Sequence, residues 1–177
     1  MSDTHDVDLQ QVPASEAVVL ANLLQLYIYD LSDVFNLDPG ADGRFLYDKL
    51  PLYWSEPDRR FPLLIRCGGK LAGFALISRG SPVTDDPDVF DMAEFFVLRR
   101  YRRAGIGRRA AMLLWDQFAA PWTIRVSEGN HAGCRFWNDT IGEYTNGAMT
   151  QATREGRPHP WRVFRFDSRR ARASADG

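Results

Sequence analysis

The chain has 177 residues, of which 45% are hydrophobic and 25% are charged, and its formal net charge is −1 at pH 7. This composition predicts one compact globular domain, and the near-neutral charge gives no support to a nucleic-acid-binding function. The two cysteines, Cys67 and Cys134, are far apart and lack metal-ligand spacing, which favours free thiols in a reducing cytoplasm. Because the three histidines are also scattered, we expect no bound metal.

The ends of the chain carry no recognisable targeting signal. No apolar run is long enough to span a membrane, and the polar N-terminus lacks the features of a signal peptide. We therefore expect a cytoplasmic protein that does not bind membranes. The composition predicts a flexible N-terminus over residues 1–12, a single domain over residues 13–167 and a disordered tail over residues 168–177.

A long N-terminal helix is predicted over residues 16–35, with Ser15 as its N-cap. Leucines recur at helical spacing along this segment and form its core face. The polar residues between them have two interpretations. They form a solvated face, or they turn Tyr27, Tyr29 and Asp30 toward a substrate.

The segment over residues 36–60 combines Pro, Gly and Asp with a cluster of aromatic side chains. This cluster consists of Phe45, Tyr47, Tyr53 and Trp54. Such rings either fill the edge of the core or line a pocket for an acceptor substrate. The sequence supports both interpretations equally.

The remaining chain alternates strands and helices. In order, the patterns predict a hairpin of strands 61–66 and 71–77, a central strand 91–98, a helix 105–119, a strand 122–127, a helix 130–141, and a closing antiparallel pair 144–153 and 161–166. This order is typical of an α/β fold with a mixed sheet that is antiparallel in its N-terminal half. The central strand and the strand 122–127 are expected to run parallel, because a helix connects them.

The most informative stretch covers residues 94–108. Its strand leads into an arginine-rich segment, and Gly105 and Gly107 then open the predicted helix. Glycines let a backbone approach a phosphate group closely, and a helix N-terminus attracts negative charge. The side chains of Arg102, Arg103 and Arg108 add positive charge at the same place. We therefore expect a ligand that carries a pyrophosphate-like group.

One known loop that fits this pattern is the dinucleotide fingerprint. Residues 105–110 match G-x-G-x-x-G/A, and Glu128 ends a later strand where the ribose-binding acid would stand. In a dinucleotide site, however, the loop follows its strand almost directly, whereas six residues separate Leu98 from Gly105 here. The match also begins past the middle of the chain, so too little sequence follows for a doubly wound sheet.

A second known loop fits better. The pattern of Val97, Tyr101, Arg102 and residues 105–108 closely resembles motif A of the GNAT acetyltransferases, the [QR]-x-x-G-x-[GA] loop that holds the pyrophosphate of coenzyme A. Residues 130–137 resemble the family's N-x-x-A-x-x-[FL]-[YW] element, and the two motifs stand one helix and one strand apart, as in the family. The resemblance covers roughly residues 60–166. It implies a GNAT-like mixed sheet, flanked by helices, whose central parallel strands splay apart for coenzyme A.

The resemblance also assigns residues to the cosubstrate acetyl-CoA. It implies that the pantetheine arm pairs with the backbone of the central strand and that the amides after this strand hold the pyrophosphate. Asn130 would contact the pantetheine arm, cap the next helix, or do both. The residues implied for acetyl-CoA are Phe95, Phe96, Val97, Arg102, Arg103, Ala104, Gly105, Ile106, Gly107, Arg108 and Asn130.

Acetyl transfer to an amine needs an unprotonated nitrogen, and a free alkylamine is mostly protonated at pH 7. The resemblance points to Glu94 on the central strand as the base, with Asp91 as the alternative. The other interpretation of Glu94 is an ordinary charged strand residue. Many relatives have a tyrosine that protonates the leaving thiolate where this chain has Trp137, whose indole N–H only donates. Tyr144 is then the candidate acid, unless the thiolate leaves unprotonated.

The resemblance implies an N-acetyltransferase that moves an acetyl group from acetyl-CoA directly to a primary amine of a small molecule or a peptide. The alternative is a catalytically weak acyl-CoA-binding module. It is motivated by Trp137, which stands where relatives have the usual acid. Acidic residues over 85–94 favour a cationic acceptor. A homodimer is compatible with the sequence, and neither nucleic acid nor a membrane is expected as a partner. The candidate substrate residues are Tyr27, Tyr29, Asp30, Tyr53 and Trp54.

Overall fold

The computed structural model describes residues 6–173 as one mixed sheet with helices on both faces. The strands are β1 (Val7–Gln11), β2 (Arg60–Cys67), β3 (Lys70–Arg79), β4 (Phe90–Val97), β5 (Pro121–Ser127), β6 (Thr150–Arg154) and β7 (Trp161–Asp167). The helices are α1 (Ala17–Phe35), α2 (Leu52–Ser55), α3 (Ile106–Gln117), α4 (His131–Tyr144) and α5 (Ser168–Ala173). Two 3₁₀ turns, Ala14–Glu16 and Arg99–Tyr101, precede α1 and follow β4.

The strands of the described chain lie in the order β1-β2-β3-β4-β5-β7-β6. Neighbouring strands are antiparallel except β4 and β5, which run parallel. A parallel pair needs a long crossover, and α3 supplies it here. The predicted α/β fold, with an antiparallel N-terminal half and one central parallel pair, is therefore confirmed.

Alternate residues of β3 face opposite layers of the core. Phe74 and Leu76 pack in the layer that holds α1 and α2, whereas Ala75 and Ile77 pack in the layer that holds α3 and α4. The sheet is therefore covered on both faces, as the near-continuous apolar run of β3 requires. The two cysteines are buried and free, as predicted. Among residues 6–173 no group of three or more His, Cys, Asp or Glu side chains is arranged to hold a metal ion.

A bulge at Ala93 interrupts the regular alternation of β4. The ladder with β3 pairs Glu94 with Leu76 but Met92 with Ile77, so Ala93 is an extra residue on β4. In a regular strand, residues three positions apart face opposite sides of a sheet, and one extra residue returns them to the same side. Asp91 and Glu94 therefore both face the layer of α1. Glu94 contacts Tyr27 of that helix.

Most of the predicted elements are confirmed with shifts of a few residues at their ends. Strands β2 and β3 form the predicted hairpin, and α4 begins after Asn130, whose side chain accepts a hydrogen bond from the N–H of Gly133 at 2.9 Å. Ser15 is not the N-cap of α1, because it lies inside the 3₁₀ turn and makes no capping hydrogen bond. Tyr144 ends α4 instead of starting a strand, and the last strand pair begins at Thr150.

Both chain ends contain more structure than predicted. The flexible N-terminus is wrong for residues 7–11, because β1 pairs with β2 along its whole length and buries Val7. The disordered tail is wrong for residues 168–173, which form α5. The buried hydroxyl of Ser168 accepts a hydrogen bond from the N–H of Ala120 and fixes the start of this helix. Residues 1–5 and 174–177 lie outside the described residues.

The segment Ala14–Phe35 is long and apolar enough to span a membrane by length and composition alone. The statement from the sequence that no apolar run reaches this length is therefore wrong. Core helices pass the same test, and this one buries Leu20, Leu23 and Leu24 against the sheet. The segment is weak evidence for a membrane span.

A substitution at Gly73 tests how tightly β3 and β4 are held together. A Cβ atom at this position would lie 2.0 Å from the carbonyl oxygen of Phe96, which belongs to the β4 backbone and cannot move alone. We expect Gly73→Ala to lower the free energy of unfolding by about 2 kcal/mol or more, measured by urea denaturation.

The matched control is Gly142→Ala in α4, where the new Cβ would meet only the methyl group of Met149 at 3.8 Å. This change should leave the free energy of unfolding unchanged or raise it by up to about 1 kcal/mol, because alanine favours a helix more than glycine does. Equal stabilities of the two variants would contradict the close approach of β3 and β4.

Candidate active site

The sheet opens between β4 and β5. Their parallel ladder joins only residues 90–92 of β4 to residues 122–124 of β5. Both strands continue beyond this point, β4 to Val97 and β5 to Ser127, without further pairing between them. Buried backbone groups need hydrogen-bond partners, so this gap can accept an extended ligand that pairs with β4 as an added strand would.

A cavity of about 350 Å³, here called the inner cavity, occupies this gap. Among the residues implied for acetyl-CoA, Phe95 and Asn130 line it. The oxygen of the Asn130 side chain caps α4, whereas its nitrogen donates no hydrogen bond within the described chain. Asn130 can therefore cap the helix and contact a ligand in the gap at the same time.

The loop after β4 has the backbone geometry of an anion site. Arg103 and Gly105 adopt positive φ angles of 60° and 77°. The N–H of Arg102 bonds to Arg99 and that of Arg109 bonds to Gly105, but no backbone N–H between them has an acceptor in the described chain. These free donors and the N-terminus of α3 are arranged as in known phosphate-binding loops.

Gly107 allows the first turn of α3 to approach β4 and α4. A Cβ atom at this position would lie 3.3 Å from side-chain atoms of both Val97 and Phe136. The ring of Phe136 in turn stacks on Phe95, with 5.8 Å between ring centroids. The loop is therefore held directly beside the open end of β4.

Asp30 supports this loop and does not face a cavity. Its carboxylate forms ion pairs with Arg102 and with Arg99, the latter at 2.8 Å. Arg102 also donates from Nε to the carbonyl oxygen of Val97 at 2.7 Å. Burial would raise the pKa of Asp30, but the hydrogen bonds and charges of the two arginines lower it below its ordinary value. The prediction of Asp30 as a substrate residue is therefore not supported.

The other loop residues differ in what they offer a ligand. Arg108 forms an ion pair with Glu143 at 2.5 Å, whereas Arg103 has no ion-pair partner within residues 6–173. Ile106 is buried in the core and Ala104 has no polar side chain, so both offer only backbone groups. Of the three arginines implied for acetyl-CoA, Arg103 is therefore the one without an ion pair in the described chain.

Glu94 lies beyond the bulge, partly buried beneath α1. Its two carboxylate oxygens accept hydrogen bonds from the hydroxyls of Tyr27 at 2.7 Å and Tyr47 at 3.1 Å. Burial raises the pKa of Glu94 above its ordinary value, although these hydrogen bonds and the charge of Arg125 act in the opposite direction. Burial and the neighbouring carboxylate also raise the pKa of both tyrosines, so they remain neutral donors.

Glu94 lines two cavities. The second has a volume of about 470 Å³ and is here called the outer cavity. Its wall combines the loop between β3 and β4 with α2 and the residues around it. The residues that line both cavities, here called the shared wall, are Tyr47, Lys49, Ala93, Glu94 and Arg125. A group on this wall can contact a molecule in either cavity.

Asp91, the alternative base, is already occupied. Only 1% of the residue is exposed, and Arg125 donates to its two oxygens at 3.1 and 2.8 Å. The hydroxyls of Ser81 and Thr123 lie 2.9 Å from the same carboxylate. Because the carboxylate is almost fully buried and surrounded by donors, the structure favours Asp91 as a partner for Arg125 over a role as the base.

The two residues considered for thiolate protonation take up packing positions. Trp137 is 7% exposed, and its ring meets Phe95 edge-on with 5.0 Å between centroids. Tyr144 donates from its hydroxyl to Asp116 at 2.9 Å and packs on Trp115. Tyr144 lines neither the inner nor the outer cavity, so the structure does not support it as the acid.

The structure separates the remaining candidate substrate residues. Tyr27 lines the inner cavity and Tyr53 lines the outer one. Tyr29 is 66% exposed and lies in neither wall. The indole of Trp54 donates to the carbonyl oxygen of Val12 at 2.9 Å, and its ring lies in neither wall. The sequence prediction grouped Tyr27 with Tyr29, whereas in the structure Tyr27 contacts Glu94 and Tyr29 is exposed.

Four residues of the shared wall, Tyr47, Lys49, Ala93 and Arg125, were not among the predicted site residues. Tyr47 was recognised only as part of an aromatic cluster, and Lys49 and Arg125 gave no signal in the sequence. The place of Tyr47 depends on Gln25 of α1, which makes two hydrogen bonds to the backbone of Phe45 at 2.8 and 2.9 Å. Such a contact over 20 residues has no local pattern that reveals it.

The model of the acetyltransferase (GNAT) family matches residues 26–142. This match spans more than half of the chain and includes the glycine loop and the residues after Asn130. The chain belongs to the GNAT acetyltransferase family. A comparison with curated proteins returned no match.

Solved structures of GNAT proteins share the fold of this chain at low sequence identity. The ribosomal-protein-S18-alanine N-acetyltransferase from Escherichia coli gives a TM-score of 0.62 at 14% identity, over 91% of this chain and 93% of that one. The spermidine N-acetyltransferase from Vibrio cholerae, in complex with coenzyme A and spermine, gives 0.66 at 9% identity, over 94% and 98%. An aminoglycoside acetyltransferase in complex with coenzyme A gives 0.69 at 13% identity, over 97% and 100%. These matches confirm the predicted GNAT-like sheet.

The raised pKa of Glu94 gives the stability of this GNAT protein a distinct pH dependence. The Glu94 carboxyl binds its proton more tightly in the folded protein than in the unfolded chain. Its contribution to the free energy of unfolding is therefore present below the pKa of the unfolded chain and is lost as the pH rises through the pKa of the folded protein. Glu94→Gln should therefore become increasingly stabilising relative to the unmodified protein above pH 4.5, the ordinary pKa. Urea unfolding from about pH 4 to about pH 8 measures this difference.

Asp30→Asn is the control of opposite sign. Because the folded pKa of Asp30 is lowered, its contribution to stability is present above the ordinary value of 3.8 and is lost as the pH falls. This variant should be destabilised at neutral pH and less so in acid. A Glu94→Gln curve that runs parallel to that of the unmodified protein would show that Glu94 has no raised pKa.

Proposed function

We propose that this protein is an N-acetyltransferase that moves an acetyl group from acetyl-CoA directly to a primary amine of a small molecule or a peptide. The observation that carries the proposal is the position of Glu94 on the shared wall, with one cavity in the strand gap and the other outside it. A thioester held in the gap and an amine in the outer cavity would meet at this carboxylate. No covalent intermediate with the protein is needed.

Glu94 has the properties of a general base for this reaction. A base works best when its pKa lies near the working pH, and burial moves Glu94 in that direction. Tyr27 and Tyr47 fix the carboxylate, yet each oxygen accepts only one hydrogen bond and keeps a free lone pair. The amine nitrogen forms a bond to the acetyl carbon, the carbon–sulfur bond breaks with its electron pair on sulfur, and Glu94 receives the amine proton.

The residues around the gap fit acetyl-CoA, which supplies the activated thioester. The free amides of residues 103–108 are suited to the pyrophosphate, with Arg103 as an unpaired cation beside them. The backbone of β4 beyond Met92 is open on the side of β5, where a pantetheine arm can pair with it. The unpaired side-chain nitrogen of Asn130 faces the same cavity.

We further propose that the thiolate leaves unprotonated and takes its proton from solvent. Trp137 cannot supply this proton because its indole N–H is not an acid at neutral pH, and Tyr144 lines neither cavity and donates to Asp116. Tyr27 and Tyr47 are poor acids as well, because burial and Glu94 raise their pKa. A thiol with a pKa of about 8.5 is a good enough leaving group to depart as its anion.

The alternative of a catalytically weak acyl-CoA-binding module is not favoured. It was motivated by Trp137 alone, whereas a pure binding module has no need for a carboxylate fixed by two tyrosines between two cavities. Proteins of similar fold are named for acetylating spermidine, aminoglycosides and a protein alanine, which are all amines. A cytoplasmic location and a homodimer stay predictions of the sequence, and the reaction as proposed requires neither metal nor nucleic acid nor a membrane.

Gly105→Ala tests the phosphate site. The position has open space but a φ of +77°, which a residue with a Cβ adopts at a cost of about 1–2 kcal/mol. If the free amides hold the pyrophosphate, relaxation of this turn should weaken acetyl-CoA binding about 10-fold or more by calorimetry.

Gly69→Ala is the matched control, since Gly69 has a φ of +72° and equally open space in the turn between β2 and β3. It should cost similar stability and leave the dissociation constant of acetyl-CoA unchanged. Equal loss of affinity in both variants, or protection of the unmodified protein by NADH and not by acetyl-CoA, would remove the phosphate site from this loop.

Glu94→Gln tests the base. The substitution keeps the shape of the side chain, so acetyl-CoA affinity should stay within a few-fold while turnover falls by roughly 10²–10⁴, the usual contribution of a positioned base. Raising the pH supplies more unprotonated amine and should restore part of the lost rate. Thiol release with acetyl-CoA and a panel of amines measures the turnover.

Glu155→Gln, at an exposed position between β6 and β7, is the control for the loss of one carboxylate and should keep full turnover. Equal activity of Glu94→Gln and the unmodified protein across the pH range would exclude Glu94 as the base. Tight acetyl-CoA binding without turnover of any amine would favour the binding module instead.

A further inference from the structure

Two cations belong to the shared wall on which Glu94 stands. They are Lys49 and Arg125, and both line the inner cavity as well as the outer one. The acetyl transfer as proposed gives neither of them a role. Their position beside the base makes them candidates for recognition of the acceptor molecule.

Arg125 is fixed in place but keeps part of its guanidinium free. Its Nε and Nη2 atoms donate to the two oxygens of Asp91, while Nη1 donates no hydrogen bond within the described chain. The side chain is 24% exposed, in contrast to 1% for Asp91. Since a guanidinium has five N–H donors in a rigid plane, Arg125 presents unused donors whose direction is set by Asp91.

Lys49 contributes a second, more flexible cation. Its side chain makes neither a hydrogen bond nor an ion pair in the part of the chain that the structure describes, and the residue is exposed. The chain has only two lysines, and the other, Lys70, begins β3 at the hairpin turn. The shared wall therefore holds one of the two lysines. The other lies away from both cavities and can serve as a control.

Apart from the ion pair between Asp91 and Arg125, no carboxylate of the described chain forms an ion pair with Lys49 or Arg125. Three carboxylates around the outer cavity are already paired. The pairs are Asp91 with Arg125, Asp88 with Arg79 and Glu56 with Arg60. Asp85 and Asp86 are exposed and line only the outer cavity. On the shared wall, Glu94 is the one carboxylate and stands beside two cationic side chains.

We propose that the acceptor carries a carboxylate close to its amine, as an amino acid or a related amino-carboxylic acid does. The amine would face Glu94, and the carboxylate would bind Nη1 of Arg125 and the ammonium group of Lys49. An acceptor with positive charges only would meet two like charges on this wall. The inference rests on the proposed acetyl transfer, and it replaces the cationic acceptor that the acidic sequence over residues 85–94 had suggested.

The experiment compares each amino-carboxylic acid with its own carboxamide in the thiol-release assay. The pair has the same reacting amine and differs only in the carboxylate. We expect kcat/KM to be about 10-fold or more higher for the acid than for the amide, the usual effect of a hydrogen bond between charged groups. The amine of the amide is the less basic of the two, so its larger unprotonated fraction biases the comparison against this result.

Lys49→Met and Lys70→Met then locate the effect. Lys49→Met should lower the ratio of kcat/KM between acid and amide about 10-fold, because it removes one cation from the shared wall. Lys70→Met should leave the ratio unchanged. Arg125 is not a suitable test, since its removal would leave Asp91 buried without its partner and destabilise the fold.

Amides that react as well as their acids would overturn the proposed acceptor class while acetyl transfer itself stands. A Lys49→Met protein that keeps the full acid-to-amide ratio would overturn it in the same way. Absence of turnover with every amino-carboxylic acid of the panel would also overturn it. In that case, turnover of other amines shows that the proposed function survives, and failure of acetyl-CoA to bind by calorimetry shows that it does not.

Discussion

The site depends on the short parallel pairing between β4 and β5. Strand β4 has two neighbours, but it pairs with β3 up to Val97 and with β5 only up to Met92. Beyond Met92 the strand has no ladder with β5, so the gap can accept an extended ligand that pairs with its backbone. The arginine-rich segment and the glycine loop come after the same strand, and Gly107 allows α3 to close on β4. One departure from regular sheet structure thus creates the gap and places its anion site.

The bulge at Ala93 decides which side chains work together. It places Asp91 and Glu94 on the same side of the sheet, although they are three residues apart. Their roles then differ because of their partners. Asp91 is closed to solvent and holds Arg125, whereas Glu94 meets two neutral tyrosine hydroxyls. The charge of Asp91 is used to fix a cation, and that of Glu94 remains available to a substrate.

The parts of this structure that local patterns encode could be predicted from the sequence. The hairpin, the central strand and the glycine loop each have signals within a few residues, and they predicted the fold and the loop proposed to bind the coenzyme. The bulge has no such signal, so the sequence could not decide between Asp91 and Glu94. Contacts between distant segments were equally hidden. Gln25 holds the segment that places Tyr47 beside Glu94, and Asp30 pairs with the arginines of the loop. Tyr144 forms a hydrogen bond with Asp116 and lines neither cavity.

The environment of Glu94 balances two requirements of a general base. A carboxylate in water is too weak a base to take a proton from an ammonium group efficiently, and burial corrects this by raising its pKa. Burial alone would also keep the group protonated, and a protonated carboxyl accepts no proton. The hydroxyls of Tyr27 and Tyr47 and the charge of Arg125 oppose that effect. Because Asp91 holds Arg125 in place, Asp91 helps to set the protonation of Glu94, the proposed base.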